Sequence, residues 1–241
     1  MLEKTKAIVL HQIRFTDSGI IVHFYTREFG RMPVLIKGMR SKKSGKAASM
    51  FQPMSLLDIE FYNKPSRQVQ LLREISVSHA FLSIHSDIKK SVVMLFLAEV
   101  LSSFLVEEIP NHLLFDYIER SVIWFDESQE KFSNFHISFL CGLSSFLGFE
   151  PAVKKNREDN FFDMLNGRFA PVPPVHGEYI SGHLAEMMGS FLSTSPEDSA
   201  GIAMTGRQRN EMAETIIRYY LLHQPSVRKI NSLEVLKEVF G

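Results

Sequence analysis

Cysteine is nearly absent: Cys141 is the single one in 241 residues, which excludes an internal disulfide and any multi-cysteine metal site and fits a reducing cytosol. Net charge is absent too, because 27 Lys/Arg balance 27 Asp/Glu. Long apolar runs are missing as well. The most apolar stretch, Val92 to Val106, contains Glu99 and is shorter than a bilayer requires, so it reads as a buried helix. The opening Met-Leu-Glu-Lys-Thr-Lys offers no apolar leader. Neither a membrane span nor export is expected.

Catalytic and nucleotide-binding patterns are also lacking. The nine histidines show no His-Glu-x-x-His spacing, no Gly-x-Ser-x-Gly elbow occurs, and Gly45-Lys46 is followed by Ala47, which breaks the phosphate-loop pattern. Cys141, between Phe139-Leu140 and Gly142-Leu143, reads as inert packing. His136 reads as a satisfied core or interface residue, and His176, Glu178 and His183 as surface residues. With no nucleophile and base together, the sequence gives no sign of an enzyme.

What is present is a core-forming composition, 45% hydrophobic, and an uneven charge distribution. Residues 1–85 hold thirteen Lys/Arg against six Asp/Glu, a surplus of seven that the rest of the chain cancels. Such asymmetry points to a nucleic-acid or membrane surface at one end; the plain alternative is a neutral protein with a basic end.

From Lys6 to Val77 apolar residues alternate and turn residues recur, the pattern of a small β-barrel or sandwich. Five strands are expected, at about Lys6–Ile13, Gly19–Thr26, Arg31–Lys37, Ser55–Tyr62 and Arg67–Val77. Gly38 to Met54 reads as a mobile loop. The layout matches an OB-fold, and an SH3-like barrel would give a similar strand count. After His79 the period becomes helical, with helices expected over Asp87–Glu108, from an Asn111 cap to Asp126, and over Lys131–Leu147. Three more are expected over Gly182–Ser193, Arg207–Leu222 and Ser232–Phe240. Residues 151–181 interrupt them with a hairpin around Asn166-Gly167, a pair that favours a type I′ turn. The expected fold class is α+β and multidomain: an OB-fold over 1–79, then a mainly α-helical domain over 80–241 with a small β-hairpin insertion.

The sharpest local feature is Lys37-Gly-Met-Arg40-Ser-Lys42-Lys43-Ser-Gly-Lys46, five cations and no acid in ten residues. Such a segment can follow a flexible phosphate backbone, or it can be a solvated loop; its place on the expected barrel favours binding. With Arg14 and Arg31 these residues form the candidate DNA-binding set. Phe15, Phe24, Tyr25 and Phe29 offer rings that could stack on bases, though alternation places two or more of them in the core. A later group, Arg207, Arg209, Arg218 and Arg228-Lys229, suits an acidic peptide or more DNA, but ordinary surface ion pairs with Glu211 and Glu214 account for it better.

The segments Ala7–Ile13, Asp17–Thr26, Glu28–Arg31 and Ile36–Arg40 with Lys43-Ser44, Gln52-Pro53 and Phe61-Tyr62 resemble the RecO family of recombination and repair mediators. Weaker likeness runs through Leu97–Leu101 and Phe146–Pro151 to Tyr219–His223. The resemblance implies an OB domain and a helical domain that bind single- and double-stranded DNA and anneal complementary strands. It further implies work with RecR, contact with the acidic tail of single-strand-binding protein, and help in loading RecA, in the bacterial cytoplasm at the nucleoid. Many relatives carry a four-cysteine zinc site after the segment matching Gly148–Pro151, yet 152–181 here contain no cysteine, so a degenerate, metal-free hairpin is expected. No cofactor is expected, since holding two strands and screening their repulsion needs no chemical step. The rival readings are a protein-interaction scaffold and an RNA-binding factor, and the partner-binding face is not readable from the sequence.

Overall fold

The computed structural model describes residues 1–16, 19–37, 50–105, 109–129 and 132–240. The chain divides into two compact units, Met1–Glu127 and Ser128–Gly241.

The first unit opens with five strands, β1 (Leu2–Thr16), β2 (Gly19–Thr26), β3 (Gly30–Lys37), β4 (Leu56–Tyr62) and β5 (Gln70–His79), closed into a barrel in the order β1-β2-β3-β5-β4. Alternation selects its interior: Ala7 and Val9, Val22 and Phe24, Met32, Val34 and Ile36, then Leu57, Ile59 and Phe61 point to one buried cluster. Every neighbouring pair is antiparallel except β3–β5, a parallel contact with two registered pairs, Val34–Gln70 and Leu35–Leu71. Gly30, at φ +64, makes the β2–β3 turn. There the Thr26 hydroxyl donates to the Gly30 carbonyl at 2.8 Å.

Three expectations about this unit need correction. β1 is longer at both ends than the apolar pattern indicates, because Lys4 and Lys6 still pair with Glu60 and Asp58 of β4 while Arg14 pairs with Ile20 of β2. β5 starts at Gln70 rather than Arg67, since the Gln70 side chain ties down the preceding loop through the Lys64 amide and the Lys64 and Arg67 carbonyls. The loop expected over Gly38 to Met54 is not loose at its far end. Residues 38–49 lie outside the described residues, but Phe51 is buried in the barrel cluster and Met54 is fully buried. Met54 adopts φ +66 and donates its amide to the Val9 carbonyl at 2.8 Å.

Helix α1 (Ile88–Phe104) starts at Asp87, whose carboxylate accepts from the Lys89 and Lys90 amides at 2.7 and 3.1 Å. It ends at Phe104, short of the expected Glu108. Helix α2 (His112–Glu127) is capped by the Asn111 side chain, which accepts from the Leu114 amide at 3.0 Å. Both helices belong to the barrel's compact unit. Ile8, Leu10, Ile21 and Tyr25 explain why: they are buried yet lie outside the barrel's interior cluster, and Tyr25 stacks on Phe115 of α2 at 6.3 Å. The α2 end is locked by Asp126, 2% exposed, which accepts from the amides of Leu82, Ser83 and Ile84 at 2.7, 2.9 and 2.9 Å.

The second unit holds α3 (Phe135–Phe146), strands β6 (Phe161–Asp163), β7 (Arg168–Ala170) and β8 (Tyr179–Ser181), and helices α4 (Gly182–Leu192), α5 (Gly206–His223) and α6 (Ser232–Phe240), with a 3₁₀ turn at Asp198–Gly201. Helix α3 starts at Phe135, later than the expected Lys131. Tyr219 and Tyr220 of α5 anchor the core, donating to the Phe149 carbonyl at 2.7 Å and the Leu140 carbonyl at 2.6 Å. The hairpin is joined by a third strand, giving the order β7-β6-β8. Its turn is not type I′, because Asn166 lacks the positive φ that type requires. Instead Asp163 ends β6 and gathers the turn, accepting from the amides of Leu165 and Asn166, both at 3.0 Å, and from Asn166 Nδ2 at 2.7 Å.

Candidate nucleic-acid interface

The basic surplus of the first unit is only partly available to a ligand. Glu60 takes Lys4 at 3.2 Å and also pairs with Arg73, while Lys6 reaches Glu119 of α2 at 2.8 Å. Arg27 pairs with Asp116 at 3.1 Å; the hydrogen bond to Asp116 raises the guanidinium's pKa, and the one from Arg27 holds the Asp116 carboxyl below its usual range. Arg31, half-buried, donates to the Leu105 carbonyl at 3.1 Å, just past the end of α1, where a cation suits the negative end of the helix dipole.

Arg14, Lys37, Lys64 and Arg67 differ: they make no ion pair with another described residue. Arg14 and Lys37 are exposed and share one rim. Arg14 pairs across the sheet with Ile20, which pairs with Ile36, and Lys37 pairs with Gly19 one step further out. Arg31 lies at the opposite end of β3, six residues from Lys37 and therefore roughly 20 Å away along the strand. The structure thus brings Arg14 and Lys37 together and sets Arg31 apart. Arg40, Lys42, Lys43 and Lys46 fall within 38–49, outside the described residues; that stretch joins Lys37 at the rim to Met50, beside the core residue Phe51.

The aromatic question resolves by burial. Phe24 and Tyr25 are buried, and Phe29 packs edge-on to Phe61 at 5.2 Å. Phe15 is 59% exposed beside Arg14, with Ile13 also exposed. Alternation could not separate these four, because Tyr25 lies outside the barrel cluster yet is buried against Phe115 of α2, and β1 shifts register between Arg14 and Thr16, where Phe15 sits.

A feature the sequence reading missed lies on the outer face of β1 and β2, where His11 and His23 stack at 4.2 Å with 13° between their planes. Ser102 of α1 sits 2.9 Å from His11 Nδ1. Burial, then the neighbouring His23 and Arg31, lowers the His11 pKa to about 4, and burial with Arg31 lowers that of His23. Both rings are therefore neutral near pH 7 and add no charge to the rim. The signal was present only as two histidines twelve apart, and pairing them required the register of the sheet.

In the second unit, His136 is buried and its pKa falls to about 3 through burial and then Arg209; burial raises that of Cys141 to about 12. Neither suits acid–base or nucleophilic work near neutrality. Arg218 pairs with Glu178, and Arg209 donates to the Met204 carbonyl at 3.3 Å. At the small sheet, the hairpin segment offers Asp163 and His176, 3.1 Å apart. The Asp163 oxygens already serve the β6–β7 turn, and no group of three or more His, Cys, Asp or Glu converges among the described residues, so this donor set does not fit zinc. No helix among the described residues is long and apolar enough to cross a membrane.

Two family models match the chain: Recombination protein O N terminal over residues 1–81 and Recombination protein O C terminal over 85–233. The chain is 38% identical over 241 residues to a protein of Phocaeicola vulgatus named DNA repair protein RecO, covering all of both chains. A protein of the same name from Bacteroides fragilis is 36% identical, again over the whole of both chains. One from Flavobacterium psychrophilum is 31% identical over 99% of each.

Proposed function

This chain belongs to the RecO family of DNA repair proteins, and from that premise we propose that it binds single- and double-stranded DNA through the barrel rim and anneals complementary strands. The observation that carries the reading is the pair Arg14 and Lys37 on one rim, which have no ionic partner among the described residues, with Lys37 leading directly in sequence into Arg40, Lys42, Lys43 and Lys46. Cations that are neutralised internally gain little from a phosphate, whereas unpaired ones at a rim release condensed counterions when they meet one. Phe15, exposed beside them, supplies a face on which a base can stack, worth about 1–3 kcal/mol. Arg31 acts by holding the α1 terminus in place and contributes to DNA less directly.

Annealing on this view makes and breaks no covalent bond: basic side chains screen the repulsion between strands and base pairing does the rest, with no cofactor. Family membership supports RecR, the acidic tail of single-strand-binding protein and, indirectly, RecA as partners, and the bacterial cytoplasm at the nucleoid as the place of action.

The test is a salt titration of single-stranded oligonucleotide binding by the full chain and by the Lys42→Ala, Lys43→Ala, Lys46→Ala variant. Each lost phosphate contact removes about 0.7 from the slope of log affinity against log salt, so the variant's slope is expected to flatten by about 2. An unchanged slope removes the segment from the interface. A strong preference for RNA over DNA of equal length would move the function away from DNA repair.

A further inference from the structure

A second basic concavity lies wholly within the Ser128–Gly241 unit. It is an open groove of about 620 Å³ between the stretch Lys154–Arg157 and the C-terminal half of α4 with the two residues after it, Ser193 and Thr194. Lys154, Lys155 and Arg157 line one wall, and none makes an ion pair with another described residue. The acids near them in sequence are turned elsewhere: Asp159 is buried and accepts from the Asn156 amide and side chain, both at 3.2 Å, while Glu150 and Glu158 do not line the cleft. Glu186 is the one acid in the lining and stands 4.0 Å from His183 on its own helix.

We propose that this cleft is a second binding site for a nucleic-acid strand, contacting its phosphates without reading sequence. The proposal rests on the annealing function and supplies what that function needs beyond the barrel, a separate place for the complementary strand. The alternative anionic ligand, an acidic peptide, fits less well, because peptide anchors are apolar or aromatic side chains that need an apolar pocket, and no aliphatic or aromatic residue lines this cleft. Its far wall is Gly189, Ser190, Ser193 and Thr194, residues small enough to admit a bulky sugar-phosphate chain. Their hydroxyls are held down on the helix: Ser190 donates to the Glu186 carbonyl at 3.0 Å, Ser193 to Gly189 at 2.9 Å and Thr194 to Ser190 at 2.7 Å. Gly189 faces Lys154 across the cleft. A Cβ there would lie in ordinary van der Waals contact with Lys154 Cβ at 3.6 Å and Phe169 at 3.5 Å, so the stem of Lys154 runs close along the helix. Both units then carry cations with no ionic partner among the described residues, although the second unit's share of the chain is acidic in total.

The experiment is strand annealing and single-strand binding by the full chain, comparing wild type with two triple variants: Lys154→Ala, Lys155→Ala, Arg157→Ala in the cleft, and Lys42→Ala, Lys43→Ala, Lys46→Ala in the barrel segment. Thermal melting of the cleft variant serves as the folding control, and no change is expected at these surface positions. The cleft variant is expected to keep high-affinity binding of one strand, to lose capture of a second, and to anneal at least tenfold more slowly. It should also flatten the salt dependence of binding at saturating oligonucleotide by about 2. Annealing and second-strand capture at wild-type levels, with the barrel variant impaired, overturn the cleft site and leave the proposed function standing. Failure of the wild-type chain to bind any strand at low salt instead overturns the proposed function itself. If the cleft variant loses binding only to a fluorescent Asp/Glu-rich peptide while annealing normally, the ligand is a peptide and the strand site is wrong.

Discussion

Two buried ionisable side chains couple the stability of this protein to pH in a way that single substitutions can expose. Burial alone would raise the pKa of Asp126, but the amides of Leu82, Ser83 and Ile84 and the Ser83 hydroxyl outweigh it and leave the carboxyl below its ordinary value. The folded state therefore favours ionised Asp126 more than the unfolded chain does. Its contribution is complete above roughly pH 4 and drains away as pH falls through the lower folded value. Asp126→Asn, which leaves three buried amides facing a weaker acceptor, is expected to cost about 3 kcal/mol in urea unfolding at pH 7 and to abolish that acid dependence. His136 works over a higher range. Its folded pKa of about 3 lies below the free value, so as pH drops below about 6.5 the unfolded chain takes the proton first and stability falls by about 1.4 kcal/mol per unit. Urea melts at pH 7 and pH 5 should therefore show His136→Leu losing about 2 kcal/mol less than wild type over that interval. Parallel losses in the two proteins would mean that the buried ring is not the titrating group.

Among the elements, the stretch Met50–Met54 is the one whose role was hidden. Phe51→Ala is expected to destabilise the barrel by about 3–5 kcal/mol, read as a shifted denaturant midpoint with an unchanged slope, because Phe51 fills the interior of the barrel. In sequence this residue sits four positions after Ala47 and follows a run of small and charged residues, which masks a single buried ring. The strands themselves were legible, since each inward face follows a period of two, and β2 has the expected ends. The capped helices were legible for similar reasons: Asn111 and Gly148 stand where the chain stops or starts a helix. What pattern alone could not supply was any feature created by register or by a side chain reaching across the fold. The His11–His23 stack, the Arg31 contact with Leu105 and the third strand Tyr179–Ser181 are of that kind. For the interface, the count of cations was readable, but which of them were already engaged depended on acids such as Glu60, Glu119 and Asp116, far away in sequence.

At the scale of the molecule, the change from strand to helix and the edge of the first compact unit fall in different places, after His79 and after Glu127. A fragment ending at Glu127 is accordingly expected to unfold in one cooperative transition, whereas one ending at His79 would expose Ile8, Leu10, Ile21 and Tyr25 and should melt without cooperativity or aggregate. Circular dichroism melts of the two fragments check this, and a cooperative transition in the shorter one would show that the barrel stands without α1 and α2. The cylinder formed by β1 to β5 is not uniformly sealed. Along four of its junctions long antiparallel ladders hold it, but β3 meets β5 at two registered positions only. Backbone amides along that junction should exchange with deuterated water sooner than those of the ladders. Because the junction runs up toward Lys37, the most weakly laddered seam of the barrel lies beside the basic rim proposed to meet DNA.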